Sequence, residues 1–115
     1  KYKDYTLPPK KLLSYAYCSD TKYDESIIKY VKNSTVLYHE ATFIDKDQGR
    51  AKLTYHSTAS EAATIADKAN VRKLILGHIS ARYPDEKYHL KEARSIFKST
   101  VFASDGLSIN LEEID

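Results

Sequence analysis

At 115 residues, with 30% charged and 42% hydrophobic side chains, the chain has room for one domain and a modest core. A net charge of +2 is too small to argue for nucleic acid by itself, and no apolar run approaches the ~20 residues of a membrane-spanning helix. The single cysteine, Cys18, excludes an internal disulfide and fits a reducing, cytoplasmic compartment.

Residues 1–11 are polar and aromatic and are broken by Pro8-Pro9, which reads as an arm or linker entering a domain that spans 12–115. Leu12–Ser19 is short, apolar and aromatic, as a strand would be, with Cys18 a small buried hydrophobe on it. Asp24–Asn33 places Ile27, Ile28 and Val31 on one helical face, with acids in the first turn where the helix dipole favours them. Val36–His39 reads as a second strand. Asp45–Arg50 is charged and contains Gly49, so it reads as a solvated loop, and Ala51–Tyr55 as a short strand or extended lead.

Thr58 and Glu61 have the spacing of a capping box, which predicts a helix start. Ala62, Ala63, Ile65, Ala66 and Ala69 would then form a narrow face able to approach a sheet closely. Lys73–His78 is an apolar strand that ends in a histidine. Pro84 forces Tyr83 into extended backbone ahead of a helix over Asp85–Lys98, expected to bury Leu90, Ala93, Ile96 and Phe97 and to leave His89 in solvent. Val101–Ala103, an Asp105-Gly106 turn and Leu107–Leu111 predict a closing hairpin. Helices alternating with short apolar strands mean an α/β layer, mostly parallel, with a hairpin edge.

Asp20, His39-Glu40, His56 and His78 each fall at or just past the carboxyl end of a predicted strand, where a parallel sheet gathers its ligands on one rim. Imidazoles with carboxylates suit zinc, manganese or iron, and equally suit proton transfer. Each has a plainer reading: Asp20 a helix cap, His39 a core histidine, Glu40 an ion-pair partner, His56 a loop residue, Arg82 a structural arginine. The helix start at Thr58 adds unpaired backbone N–H groups and a favourable dipole for an anion. Ser57 and Thr58 are therefore candidate phosphate contacts, Ser57 the freer of the two.

Tyr17-Cys18-Ser19-Asp20-Thr21, His39-Glu40-Ala41-Thr42-Phe43, His56-Ser57-Thr58-Ala59 and Gly77-His78-Ile79-Ser80-Ala81-Arg82-Tyr83 occur in this order. Together they resemble the C-terminal portion of the ribonuclease Z family, tRNA 3′-processing endonucleases of the metallo-β-lactamase superfamily. The resemblance covers roughly residues 5–111. It implies an α/β fold, the C-terminal half of an αββα sandwich with a mixed sheet and flanking helices, and a site with two zinc ions. By the same resemblance Asp20 bridges the metals, His78 is a terminal ligand, His56 protonates the departing ribose 3′ oxygen and Glu40 supports it. Ser57, Thr58 and Arg82 would contact RNA phosphate. A tRNA precursor as substrate and a homodimer also follow from resemblance alone.

The family's upstream His-x-His-x-Asp-His motif and one further ligand histidine have no counterpart here. A chain supplying one carboxylate and one imidazole is expected to bind zinc poorly and to be inactive alone, since zinc takes three or more protein ligands. The sheet face that missing layers would cover is expected to favour self-association or poor folding. The alternative functions are a metallo-β-lactamase-fold hydrolase of another phosphodiester or ester, and a non-catalytic RNA- or protein-binding module.

Overall fold

A computed structural model describes residues 14–18 and 22–103. The expected arm at 1–11, Asp20 and the terminal hairpin over 104–111 lie outside the described residues.

Among the described residues four strands carry the fold: β1 (Tyr15–Cys18), β2 (Val36–Glu40), β3 (Lys73–Gly77) and β4 (Thr100–Phe102). They lie side by side in chain order, and each neighbouring pair is parallel. A parallel neighbour demands a crossover. A short 3-10 turn (Glu25–Ile27) and α1 (Ile28–Val31) cross from β1 to β2. The 3-10 turn Asp45–Asp47, α2 (Gln48–Leu53) and α3 (Ala59–Ala69) cross from β2 to β3. α4 (Lys87–Arg94) crosses from β3 to β4. When strand order never reverses and crossovers keep one hand, every crossover helix lands on the same face.

The packing follows that rule. Leu37, Leu74 and Leu76 point from the strands into one cluster with Val31 of α1, the alanine face and Ile65 of α3, and Ala93 of α4. Successive strand residues alternate faces, so Val36 and Ile75, with Tyr38, Val101 and Ala103, form a separate cluster on the other side. Among the described residues no helix packs on that second face. Parallel sheets are ordinarily covered on both faces, and here the described helices cover one.

α3 is the best specified element. Thr58 Oγ1 accepts from Glu61 N while the Glu61 carboxylate accepts from Thr58 N, completing the capping box. Ala59, Ala62, Ala63, Ile65, Ala66 and Ala69 are all fully buried, and Asn70 closes the helix in the left-handed conformation.

Three expectations need correction. Asp45–Arg50 and Ala51–Tyr55 form a 3-10 turn and α2 rather than a loop and a strand. Asp45 is tied down by Thr58 and by Glu92, whose carboxylate accepts its N–H, and Ala51 alone of α2 is buried. α4 is shorter than Asp85–Lys98, and Ile96 is 40% exposed. His89 is fully buried instead of solvated, because it shares a helical face with Ala93 four residues on and packs edge-on against Tyr83 at 4.7 Å.

Gly77 has a steric reason. A Cβ there would collide with the phenol end of Tyr38, its hydroxyl oxygen nearest, and the Tyr38 ring is itself stacked on Tyr17 at 4.6 Å. Gly77→Ala should destabilise the protein by about 1–3 kcal/mol, as overpacking does. Adding Tyr38→Ala should recover part of that loss in urea unfolding. A double variant whose two effects merely add would show that the ring is not the obstacle.

Candidate active site

β2 and β3 pair in register so that Glu40 lies opposite Gly77. The next residue, His78, therefore emerges beside the Glu40 side chain. Ala41 N donates to Gly77 O at 2.8 Å and Ser80 N to Thr42 O at 3.0 Å, which holds the two strand ends together. On the other flank, Phe43 and Thr58 form an isolated parallel bridge that carries His56 to the same rim. One nitrogen or oxygen each from Glu40, His56 and His78 lie within 4.8 Å of one another.

Glu40 is fully buried and accepts four hydrogen bonds from named donors. Oε1 receives His56 Nδ1 at 2.8 Å. Oε2 receives Thr42 Oγ1 at 2.7 Å and the backbone N–H groups of Thr42 and Ser57, each at 3.2 Å. Burial alone would push this carboxyl up, but the bonds from Thr42, His56 and Ser57 outweigh it and hold the group below the usual carboxylate range. The result is a buried, ionised acceptor aimed at one imidazole nitrogen. That is the arrangement that fixes a histidine for proton transfer and steadies its charged form.

His56 is partly exposed, and its ring lies 5.3 Å from that of His78, tilted by 31°. His78 is exposed at the rim and adopts φ +62°, a left-handed backbone that is uncommon for a residue with a Cβ. Its Nδ1 is 2.9 Å from Thr42 Oγ1. A cleft of about 320 Å³ opens beside His56, lined by Lys22, Tyr23, Gln48, Lys52 and Glu61.

The sequence-selected residues fall into distinct places. Glu40, His56 and His78 converge. His39 does not: it points to the helical face, is buried, and bonds the Glu40 carbonyl through Nδ1 at 2.8 Å. Ser57 and Thr58 are fully buried, and the Thr58 hydroxyl is spent on capping α3 and on Asp45. Neither hydroxyl faces solvent, so the phosphate contacts expected of them are not available here. Arg82 is 41% exposed, with its guanidinium over the Phe43 ring at 5.7 Å and 3.7 Å from Asp47, an ion pair too loose to bind it strongly. Thr42 was not singled out, yet its hydroxyl touches Glu40, His56 and His78. Its place in the segment His39–Phe43, at the strand end, was the one available signal.

The donor set can be tested against zinc. Nitrogen and oxygen donors suit that ion. Glu40 is occupied on both oxygens and His56 Nδ1 is committed to it, so both are engaged with protein partners. His78, exposed and held through Nδ1, fits a ligand through Nε2.

No family profile matches this chain. It is 59% identical over 91 residues to a ribonuclease Z of Azobacteroides pseudotrichonymphae, covering 79% of this chain and 32% of that protein. A metallo-β-lactamase-fold protein from Bacillus subtilis superimposes with a TM-score of 0.74 at 26% identity, covering 81% of this chain and 38% of the other. A long-form RNase Z from yeast superimposes at 0.69 and 30% identity, covering 87% of this chain and 14% of the other. The resemblance to ribonuclease Z therefore holds over most of this chain, and its α/β layer has the metallo-β-lactamase fold. The chain spans about a third of the length of the curated relative it matches, at 32%.

Proposed function

We propose that this chain is the C-terminal portion of an endoribonuclease of ribonuclease Z type, which cleaves tRNA precursors at the 3′ end. The observation that carries the reading is the Glu40–His56 pair at 2.8 Å beside an exposed His78, set on motifs that match ribonuclease Z in order. In the acid form of His56 both ring nitrogens carry protons. Glu40 accepts the one on Nδ1 and stabilises the positive ring, and Nε2 donates its proton to the departing ribose 3′ oxygen. Lys22 and Lys52 line the cleft beside His56, giving it a positive wall suited to a phosphodiester.

By the motif match, Asp20 and His78 are this chain's ligands for a pair of zinc ions, completed by residues from outside it. Zinc held by these residues would supply Lewis-acid polarisation of a phosphate and a source of hydroxide near neutral pH. The reading extends to a cytoplasmic homodimer on the strength of the resemblance. Among the described residues no helix is long and apolar enough to cross a membrane.

The test uses the protein extended to the length of its relatives. It is offered a tRNA precursor with a 3′ trailer and, separately, bis(p-nitrophenyl) phosphate. Release of the trailer is the expected result. Turnover of the small diester alone would replace this reading with a hydrolase of another phosphodiester, and no turnover of either would favour a non-catalytic binding module.

A further inference from the structure

The hydrogen-bond network at the rim fixes more than the position of His56. Glu40 Oε2 already accepts two backbone N–H bonds, from Thr42 and Ser57, and a backbone N–H can only donate. A carboxyl proton has no place on that oxygen, so in the third contact the Thr42 hydroxyl is the donor, at 2.7 Å. A hydroxyl carries one proton. With that proton committed to Glu40, Thr42 Oγ1 is left with acceptor capacity only. The 2.9 Å contact between Thr42 Oγ1 and His78 Nδ1 must then be donated by the imidazole. The longer 3.3 Å approach of His56 Nδ1 is the minor branch of the bond it makes to Glu40.

We propose that Thr42 is a positioning residue that sets the tautomer of His78, keeping the proton on Nδ1 and the lone pair on Nε2 at the exposed edge of the ring. One buried carboxylate thereby orders two imidazoles, His56 directly and His78 through a hydroxyl. A ligating histidine gains affinity when its other ring nitrogen donates to a fixed partner. Thr42 supplies that partner without adding charge. The chain of donors, His78 Nδ1–H to Thr42 Oγ1–H to Glu40, also explains why a threonine serves where valine of the same shape would not. This inference deepens the proposed function and rests on it only for the purpose of the lone pair, not for its location.

The test is nitrogen-15 NMR of the ring nitrogens in the full-length protein stripped of metal, at mildly alkaline pH. The wild-type protein is expected to show His78 as the Nδ1–H tautomer, and Thr42→Ser to keep it. Thr42→Val, which removes only the hydroxyl, should shift His78 toward the Nε2–H tautomer that a free imidazole favours. In the same variants zinc affinity should fall about 10- to 100-fold for valine and recover with serine. A wild-type His78 found as the Nε2–H tautomer would overturn the proposal without any variant being made. So would a Thr42→Val protein with unchanged tautomer and metal affinity. Because the spectra need no turnover, a protein with the expected tautomers that fails to cut a tRNA precursor would refute the proposed function and leave Thr42's role standing.

Discussion

His56→Ala in the full-length enzyme should slow tRNA-precursor cleavage by about 10²- to 10⁴-fold, the usual value of a positioned proton donor. That corresponds to roughly 3–5 kcal/mol of lost transition-state stabilisation. On the proposed assignment, bound metal should be unchanged, because His56 spends Nδ1 on Glu40 and the ligands proposed for this chain are Asp20 and His78. Asp20→Ala, by contrast, should lose metal and activity together. Glu40→Gln should reproduce most of the His56 defect, since an amide of the same size cannot accept from His56, Thr42 and Ser57 at once. The pair acts as a unit, so the double variant should be little worse than either single one. Equal zinc loss in His56→Ala and Asp20→Ala would remove His56 from the proton-donor role. Glu40→Gln also strands buried N–H donors, at about 1–3 kcal/mol of stability, so a thermal melt belongs beside the rate.

The second large effect is on acid stability. His39 and His89 are both buried, and burial pushes both imidazoles below their ordinary value. The Glu40 backbone, Glu40 and Glu61 offset this in part for His39, and the Thr42 backbone and Glu86 do so for His89. No hydrogen bond of normal length and angle reaches His39 Nε2 or either ring nitrogen of His89, so the Thr42 backbone offsets burial of His89 only from longer range. As pH falls below ~6.5 the unfolded chain takes up protons that the folded chain refuses, so stability falls with pH. Each histidine should contribute about 1.4 kcal/mol per pH unit until the folded ring titrates. Glu40 acts in a lower window. Its carboxyl is held down, so its contribution is present above the usual ~4.3 and is lost as pH drops through the folded value. His89→Phe keeps the edge-on contact with Tyr83 and should flatten the curve between pH ~7 and ~5 in urea unfolding. Superimposable curves for the two proteins would show that His89 takes up its proton in the folded and unfolded chain alike.

What the sequence made legible follows from how each element is held. β2 and β3 are short apolar runs because parallel strands are buried, and α3 advertises its own cap and its own narrow face. α2 gave no such sign. It buries Ala51 alone and leaves Leu53 in solvent, so no apolar period marks it, and contacts from distant residues stabilise it. His89 looked solvated because its neighbours are charged, while its spacing to Ala93 pointed inward. At the rim, strand ends located Glu40, His56 and His78 correctly on one edge. The availability of Ser57 and Thr58 was not readable, since it depends on which hydroxyls are consumed by the cap and by burial. Thr42 was hidden for the same reason. Its contacts exist only once Glu40 is set against Gly77 and Phe43 against Thr58.

The φ of +62° at His78 has an evolutionary reading. Glycine would occupy that backbone with less strain, by about 1 kcal/mol or more, and asparagine tolerates it better than most residues. Mutational drift toward a more stable chain therefore runs directly through loss of the imidazole. In a lineage that no longer needed the proposed activity, position 78 would be among the first to relax. A sibling sequence that keeps the Glu40 and His56 motifs but carries glycine at this one place would mark itself as a retired copy.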